Sequence, residues 1–419
     1  MTPRRTTTRR SRIFSARLLT PLVASAVLNP INSTMIAVAL VPIGHTFGAS
    51  PAETAWLVTG LYLATAIGQP LAGILVDRWG PRRVLLAGAL TVAVAGVAGT
   101  LALSLDWLIG VRVLLGFGTC AGFPAAMAVL RKHADAHGAG VPAGVIAVLS
   151  ISAQTVMVIG PTLGGGLIGL FGWPAIFAVN IPLAVGAMLF AWLWVPRDGG
   201  GTGPRRRLQA RAVLTDGAIL RTYLRQGLAF LAIYAVLFGY VQWLQTDRGL
   251  SETTSGLLLL PMSLVAVTAA ALSGRASGLR ARLALSVAAL GTGSVLLLLV
   301  DAGTALWLLV VIAAAFGLAQ GLTSVTNQTA LYGQADAARM GTASGFFRSA
   351  QYVGAMGASA LIAACFGAAP TAEGLHRLAL SLLGVAVALL AVTLADRRLR
   401  VAPVIAEDAA AAQNGARGT

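Results

Sequence analysis

The chain has 419 residues, 57% of them hydrophobic and 11% charged, whereas soluble domains carry about 25% charged residues. Too few charges remain to cover a water-facing surface, which excludes an ordinary soluble enzyme and a disordered chain; a mean hydropathy of +0.81 points instead to a polytopic membrane protein. The formal net charge of +16 would suit an anionic partner, but its placement along the chain assigns it to membrane orientation rather than to nucleic acid.

A bilayer core takes about 20 apolar residues per helix. A basic tail over 1–17 precedes six such stretches, at 18–41, 54–76, 84–104, 107–130, 143–168 and 175–195. The first is too long for the apolar core of a signal peptide and reads as uncleaved. A glycine- and arginine-rich connector over 197–226 follows, and then six more stretches at 227–246, 253–273, 283–301, 304–328, 341–366 and 375–395. The tail over 397–419 is Ala-rich and polar. The expected fold is therefore all-α and integral to the membrane: twelve transmembrane helices in two pseudo-symmetric six-helix bundles, 18–196 and 227–396.

Arginine gathers at alternate turns. The N-terminal tail holds Arg4, Arg5, Arg9, Arg10, Arg12 and Arg17; the turn after the second stretch holds Arg78, Arg82 and Arg83, and the turn after the fourth Arg131 and Lys132. The connector, the turns at Arg275–Arg282 and Arg339, and the C-terminal tail complete this set. The intervening turns carry Glu53, Asp106, Asp247, Glu252, Asp301 and Glu373, with Arg248 and, at a helix start, Arg377. Such a bias places both termini in the cytoplasm, with the arginines meeting anionic lipid at the inner leaflet. Cys120 and Cys365 lie in apolar stretches, so neither a disulfide framework nor a thiolate metal site is implied. His45, His133, His137 and His376 fall at turns on both sides and assemble no metal site.

The sharpest local signal closes the second stretch, where Gly73, Asp77, Arg78, Gly80, Pro81, Arg82 and Arg83 follow in order. Gly73 would admit a close helix, Gly80 and Pro81 a tight turn, and Asp77 could pair with an arginine or a helix N-terminus. This run resembles the signature loop of the major facilitator superfamily, G-x-L-x-D-R-x-G-R-[KR], with Pro81 in place of an arginine. In the fourth stretch, Arg112, Gly116, Gly118 and Ala121 resemble that superfamily's R-x-x-Q-G-x-G-x-A pattern, with Leu115 in place of glutamine. In the fifth, Gly160, Pro161, Gly164 and Gly165 resemble the antiporter motif of its drug/proton exporters, although Val156 replaces the leading glycine. A worn copy of the first loop, from Gly274 to Arg282, returns roughly half a chain after Gly73 without its acid. The resemblance implies two rocking halves with a substrate site between them near the midplane, a conformational latch at Gly73, Asp77, Arg78, Gly80, Arg82 and Arg83, and a hinge at the proline–glycine motif. It also implies a monomer coupled to protons.

Polar groups that remain within apolar stretches face a bundle interior. Helical spacing gathers Asn29 and Asn32 in the first stretch, Tyr62 and Gln69 in the second, and Tyr234 and Gln242 in the seventh. Gln320 and Asn327 share a side of the tenth, Arg348 and Gln351 a side of the eleventh, and Gln154 stands in the fifth. These residues are candidates to line a substrate cavity. Trp56, Trp107, Trp173, Trp243 and Trp307 read as interfacial anchors. No acidic residue is central to a span, and Asn32 stands where the drug/proton antiporters often carry aspartate, so Arg112, Asp77 and Glu53 are the coupling candidates. A cavity without acid suits neutral or anionic amphiphiles at least as well as cations. No G-x-x-x-x-G-K-[ST] loop is present and Lys132 is the sole lysine, so an ion gradient, with no cofactor, would supply the energy. The leading expectation is a proton-coupled exporter of small amphiphilic compounds. The alternatives are a dedicated exporter of one sugar, amino acid or siderophore and, remotely, a membrane enzyme or sensor.

Overall fold

A computed structural model describes residues 15–136, 143–196, 215–273, 278–335 and 340–400. Residues 1–14 and 401–419 of the tails, the glycine-rich start of the connector, and Arg275 and Arg339 in the later basic turns lie outside the described residues. Among the described residues eleven helices are long and apolar enough to cross a membrane, and Ala143–Phe171 adds a twelfth of 29 residues. In chain order they are α1 (Ala16–Val38), α2 (Pro51–Trp79), α3 (Pro81–Thr100), α4 (Leu105–Ala134), α5 (Ala143–Phe171) and α6 (Ala175–Trp194). The second half comprises α7 (Gly217–Thr246), α8 (Glu252–Leu272), α9 (Leu279–Leu297), α10 (Leu306–Gln334), α11 (Met340–Phe366) and α12 (Ala372–Ala395).

Short polar residues decide where the helices begin, because their oxygens satisfy backbone donors that the first turn leaves free. Ser50 and Glu53 form a reciprocal capping box at α2, with Pro51 at its first position. Ser104, Ser251 and Thr371 accept from Trp107, Thr254 and Gly374 to cap α4, α8 and α12. Gly80, at φ 85°, turns the chain between α2 and α3, and Pro81 opens α3.

Asp216 caps α7 through the backbone amides of Ala218 and Ile219. This corrects the connector drawn as 197–226: α7 starts at Gly217, so Arg221 and Arg225 belong to the helix. Both reach Asp396, just past the end of α12, at 3.6 and 2.8 Å.

The outer surface shows why charges are so few. Leu63, Ile67, Leu71 and Ile74 form an exposed stripe on α2, and Leu380, Val387 and Leu394 another on α12. In water such stripes would be a liability; in lipid they meet a solvent of their own kind. The polar residues turn inward. Small residues let helices approach: a Cβ on Gly88 would collide with the Gly118 carbonyl, and one on Gly116 with the Leu61 carbonyl, joining α3, α4 and α2.

The two halves repeat one another in detail. At the face where the chain's termini emerge, Arg82 of α3 donates to the Trp192 carbonyl of α6 at 2.5 Å. In the second half Arg280 of α9 donates to the Leu394 carbonyl of α12 at 3.4 Å. Toward the opposite face α1 tightens into a 3₁₀ turn at Ile36–Val38 and then continues as Leu40–Phe47. Its counterpart α7 widens into a π turn at Val236–Tyr240. The two irregular turns pack against each other across the boundary between the halves.

Candidate substrate site

Between the halves lies a cavity of about 120 Å³, walled by α1, α2, α4 and α5 on one side and α7, α10 and α11 on the other. It occupies the half of the molecule nearer the termini: Gln69 and Phe123 stand past the middle of α2 and α4, and Gln226 and Arg348 near the starts of α7 and α11. Of the residues singled out by helical spacing, Asn29, Gln69, Tyr234, Arg348 and Gln351 line it. Asn29 donates to Thr119 at 3.0 Å, and Gln69 reaches across the halves to the Tyr352 hydroxyl at 3.3 Å. Arg348 also crosses the boundary, its guanidinium carbon 3.7 Å from the centre of the Phe123 ring. Tyr62 backs the wall, edge-on to Tyr234 at 5.4 Å and stacked on Tyr352 at 5.8 Å.

The remaining lining candidates serve elsewhere. Asn32 is buried, donating to Asn180 at 2.5 Å and to the Leu28 carbonyl. Asn327 is fully buried between Arg225, at 3.1 Å, and Gln226. Tyr62 and Gln242 are buried outside the lining, and Gln320 is half-buried outside it. Uniform helical spacing selects a face but not a depth, so it groups residues that bind one helix to the next with residues that meet the cavity. The side chain of Gln154 lies outside the described residues.

Spacing also misses Phe123, Gln226 and Gln328, which do line the cavity. Gln226, Phe230 and Tyr234 recur every four residues along α7, a signal visible once the helix is started at Gly217.

Arg112 is 2% exposed. Its Nε donates to the Leu57 carbonyl at 2.8 Å and its Nη1 to the Asn32 carbonyl at 2.9 Å, while Nη2 has no partner. It ties α4 to α2 and α1, and no carboxylate pairs with it among the described residues. Glu53 has the exposed capping role at Ser50, which gives it no contact with the cavity. Trp243, read from sequence as an interfacial anchor, is fully buried and donates to Asp247 at 2.8 Å.

The latch residues are only partly brought together. Gly80 makes its turn and Arg82 braces α6, while Arg78 and Arg83 are exposed. The Asp77 side chain lies outside the described residues. Gly73 has open space where its Cβ would be, so the expectation of a close helix at that position is corrected: among the described residues none packs against it.

The proline–glycine motif does sit at a tight contact. Gly160 and Gly164 face Thr34 and Met35 of α1, and Gly165 faces Glu252 and Thr253 of α8. Thr162 donates to the Gly256 carbonyl at 2.9 Å, and Thr253 to the Gly165 carbonyl at 3.0 Å. Beside this seam Gln245 of α7 donates to the Val38 carbonyl at 2.9 Å, an acceptor offered where α1 leaves α-helical geometry. Both contacts join the halves toward the face opposite the termini.

A family model described as Major Facilitator Superfamily matches residues 22–359. The chain belongs to the Major Facilitator Superfamily. It is 28% identical to the MFS-type transporter YwoD of Bacillus subtilis, over 85% of this chain and 91% of that protein. It is 35% identical to a multidrug resistance protein B homolog of Mycobacterium tuberculosis, over 42% of this chain and 32% of that one. Among solved structures, the nucleoside transporter NupG superposes with a TM-score of 0.71 at 13% identity, covering 90% of this chain and 99% of that one. A bacterial homolog of the lysosomal transporter Spinster gives 0.70 at 17%, covering 91% and 96%. These last two likenesses are of fold, and the fold is that of a multi-pass membrane transporter.

Proposed function

We propose that this transporter exports small amphiphilic, drug-like compounds across the cytoplasmic membrane by alternating access, as a monomer exchanging them for protons, with both termini in the cytoplasm. The observation that supports it most is the asymmetry of the boundary between the halves. The cavity lies in the half nearer the termini, while toward the other face α5 meets α8 without a gap for a side chain at Gly165 or Gly256, and Gln245 of α7 donates to the Val38 carbonyl of α1. A cavity toward one face with a close seam toward the other supports loading from the side of the termini. The basic turns support a cytoplasmic termini face. A named relative at 29% identity over 46% of this chain and 39% of that protein, the methyl viologen resistance protein SmvA of Salmonella typhimurium, supports a role in resistance to foreign compounds.

In this reading Gly73, Asp77, Arg78, Gly80, Arg82 and Arg83 form the cytoplasmic latch, and Gly160, Pro161, Gly164 and Gly165 the part of α5 that flexes as the seal opens. Arg112 and Asp77 are the coupling groups. The domains follow: a basic tail to residue 17, one bundle to 196, a connector shortened to end at Asp216, a second bundle to 396 and a C-terminal tail.

A second reading, a dedicated exporter of one metabolite, is favoured by the cavity itself, which is small and lined mainly by amides, hydroxyls and tyrosines. Efflux of a fluorescent lipophilic dye from cells stripped of their own pumps separates the two. The account expects efflux that stops with a protonophore and falls at least about tenfold in Asp77→Asn at equal expression, because the latch loses its charge. No dye efflux from well-expressed protein favours the single-metabolite exporter, and efflux indifferent to the protonophore contradicts proton exchange.

A further inference from the structure

Among the described residues that line the cavity, Arg348 alone carries a charge. No described carboxylate pairs with it, and its guanidinium carbon lies over the Phe123 ring. A guanidinium lying over a ring keeps its edge of N–H donors directed away from that ring; the Tyr352 hydroxyl takes part of that edge, and the rest of the fork can meet the oxygens of an oxyanion. Gln351 and Tyr352 lie one turn along the same helix and also line the cavity, with Gln69 opposite, so neutral donors stand beside the charge. Phe230, Phe347 and Met157 supply an apolar wall for the rest of a ligand.

A second cation, Arg112, is buried outside the lining, nearer the opposite end of α4, where it donates to the Leu57 and Asn32 carbonyls. Arg348, without a described counter-charge, makes the lining positive, and in a low-dielectric interior such a charge is weakly screened. A cationic ligand would meet like charge there, whereas an anionic one would neutralise a charge the fold already bears.

We propose that Arg348 selects the charge of the ligand, so that the cavity takes amphiphilic organic anions, with a carboxylate or sulfonate on the guanidinium and an aromatic or aliphatic body against Phe230 and Phe347. Calling that ligand a substrate rests on the exporter reading; the binding does not, and it is measured without transport.

The test is calorimetric titration of the detergent-purified full chain with a pair matched in body and opposite in charge, 2-naphthoate and 2-naphthylmethylammonium. The expected result is that the naphthoate binds about tenfold or more tightly than the ammonium. Arg348→Gln should lose about that factor for the naphthoate without weakening the ammonium, and Arg348→Lys should keep part of it because charge remains while the fork does not. Equal or tighter binding of the ammonium, no binding of the naphthoate, or unchanged naphthoate affinity in a folded Arg348→Gln protein would each overturn the proposal. If that variant fails to fold, the matched pair on the unaltered chain decides alone. Naphthoate binding in a protein that exports nothing would sink the exporter reading and leave this one standing.

Discussion

Arg225 and Asp396 meet at 2.8 Å with both side chains almost entirely out of solvent, and Thr222 and Asn327 take up further guanidinium donors. Both charges lost their water on folding, so the pair is worth most as a mutual dependence: removing one partner strands the other, at roughly 3–5 kcal/mol. Asp396→Asn should therefore lower the thermal midpoint of the detergent-solubilised protein markedly, while Arg225→Met with Asp396→Leu should restore most of it. An unchanged midpoint in Asp396→Asn would show that the pair is solvated. Nothing in the local sequence announces this contact. Arg221 and Arg225 continue an arginine-rich run that reads as connector, and Asp396 reads as the end of a span; only the packing of α7 beside α12 shows that they belong together. Arg348, by contrast, is legible, because a guanidinium well inside an apolar stretch has few reasons to be there other than an interior cavity.

At the scale of elements, the contact of α5 with α8 explains what the glycines of the proline–glycine motif are for. A Cβ on Gly165 would run into the Glu252 backbone, and one on Gly256 into the Pro161 carbonyl, so each glycine admits the other helix's backbone. Overpacking such a contact costs about 1–3 kcal/mol, enough to shift a two-state equilibrium about tenfold or more. Gly165→Leu should accordingly leave the protein expressed but hold the seal open, cutting dye efflux by about that factor and making a cysteine at Gln245 more reactive to a membrane-impermeant thiol reagent. Normal efflux with an unreactive Gln245→Cys would return the glycines to simple packing. The motif itself could be read from α5, but its partner could not: Gly256 sits in a segment with no pattern of its own. The irregular turns at Ile36–Val38 and Val236–Tyr240 were equally hidden, since the apolar run continues through both and periodicity does not register a change from α to 3₁₀ or π geometry.

At the scale of the whole molecule, apolar length and arginine placement gave twelve spans and a two-half repeat, because lipid forces every backbone group into a helix and leaves little else to choose. How the halves meet is set by a handful of contacts between residues distant in sequence, such as Gln245 with Val38 and Gln69 with Tyr352, and no local pattern encodes them. The account's central claim is that the seal between α5 and α8 must open in each cycle. The direct measurement joins Thr162→Cys to Thr253→Cys with a short bis-thiosulfonate linker and follows dye efflux; the native Cys120 and Cys365 are buried away from the reagent. The account predicts that the linked protein does not transport, that reductant restores efflux, and that either single cysteine variant treated alone transports normally. Undiminished efflux from fully linked protein would contradict it.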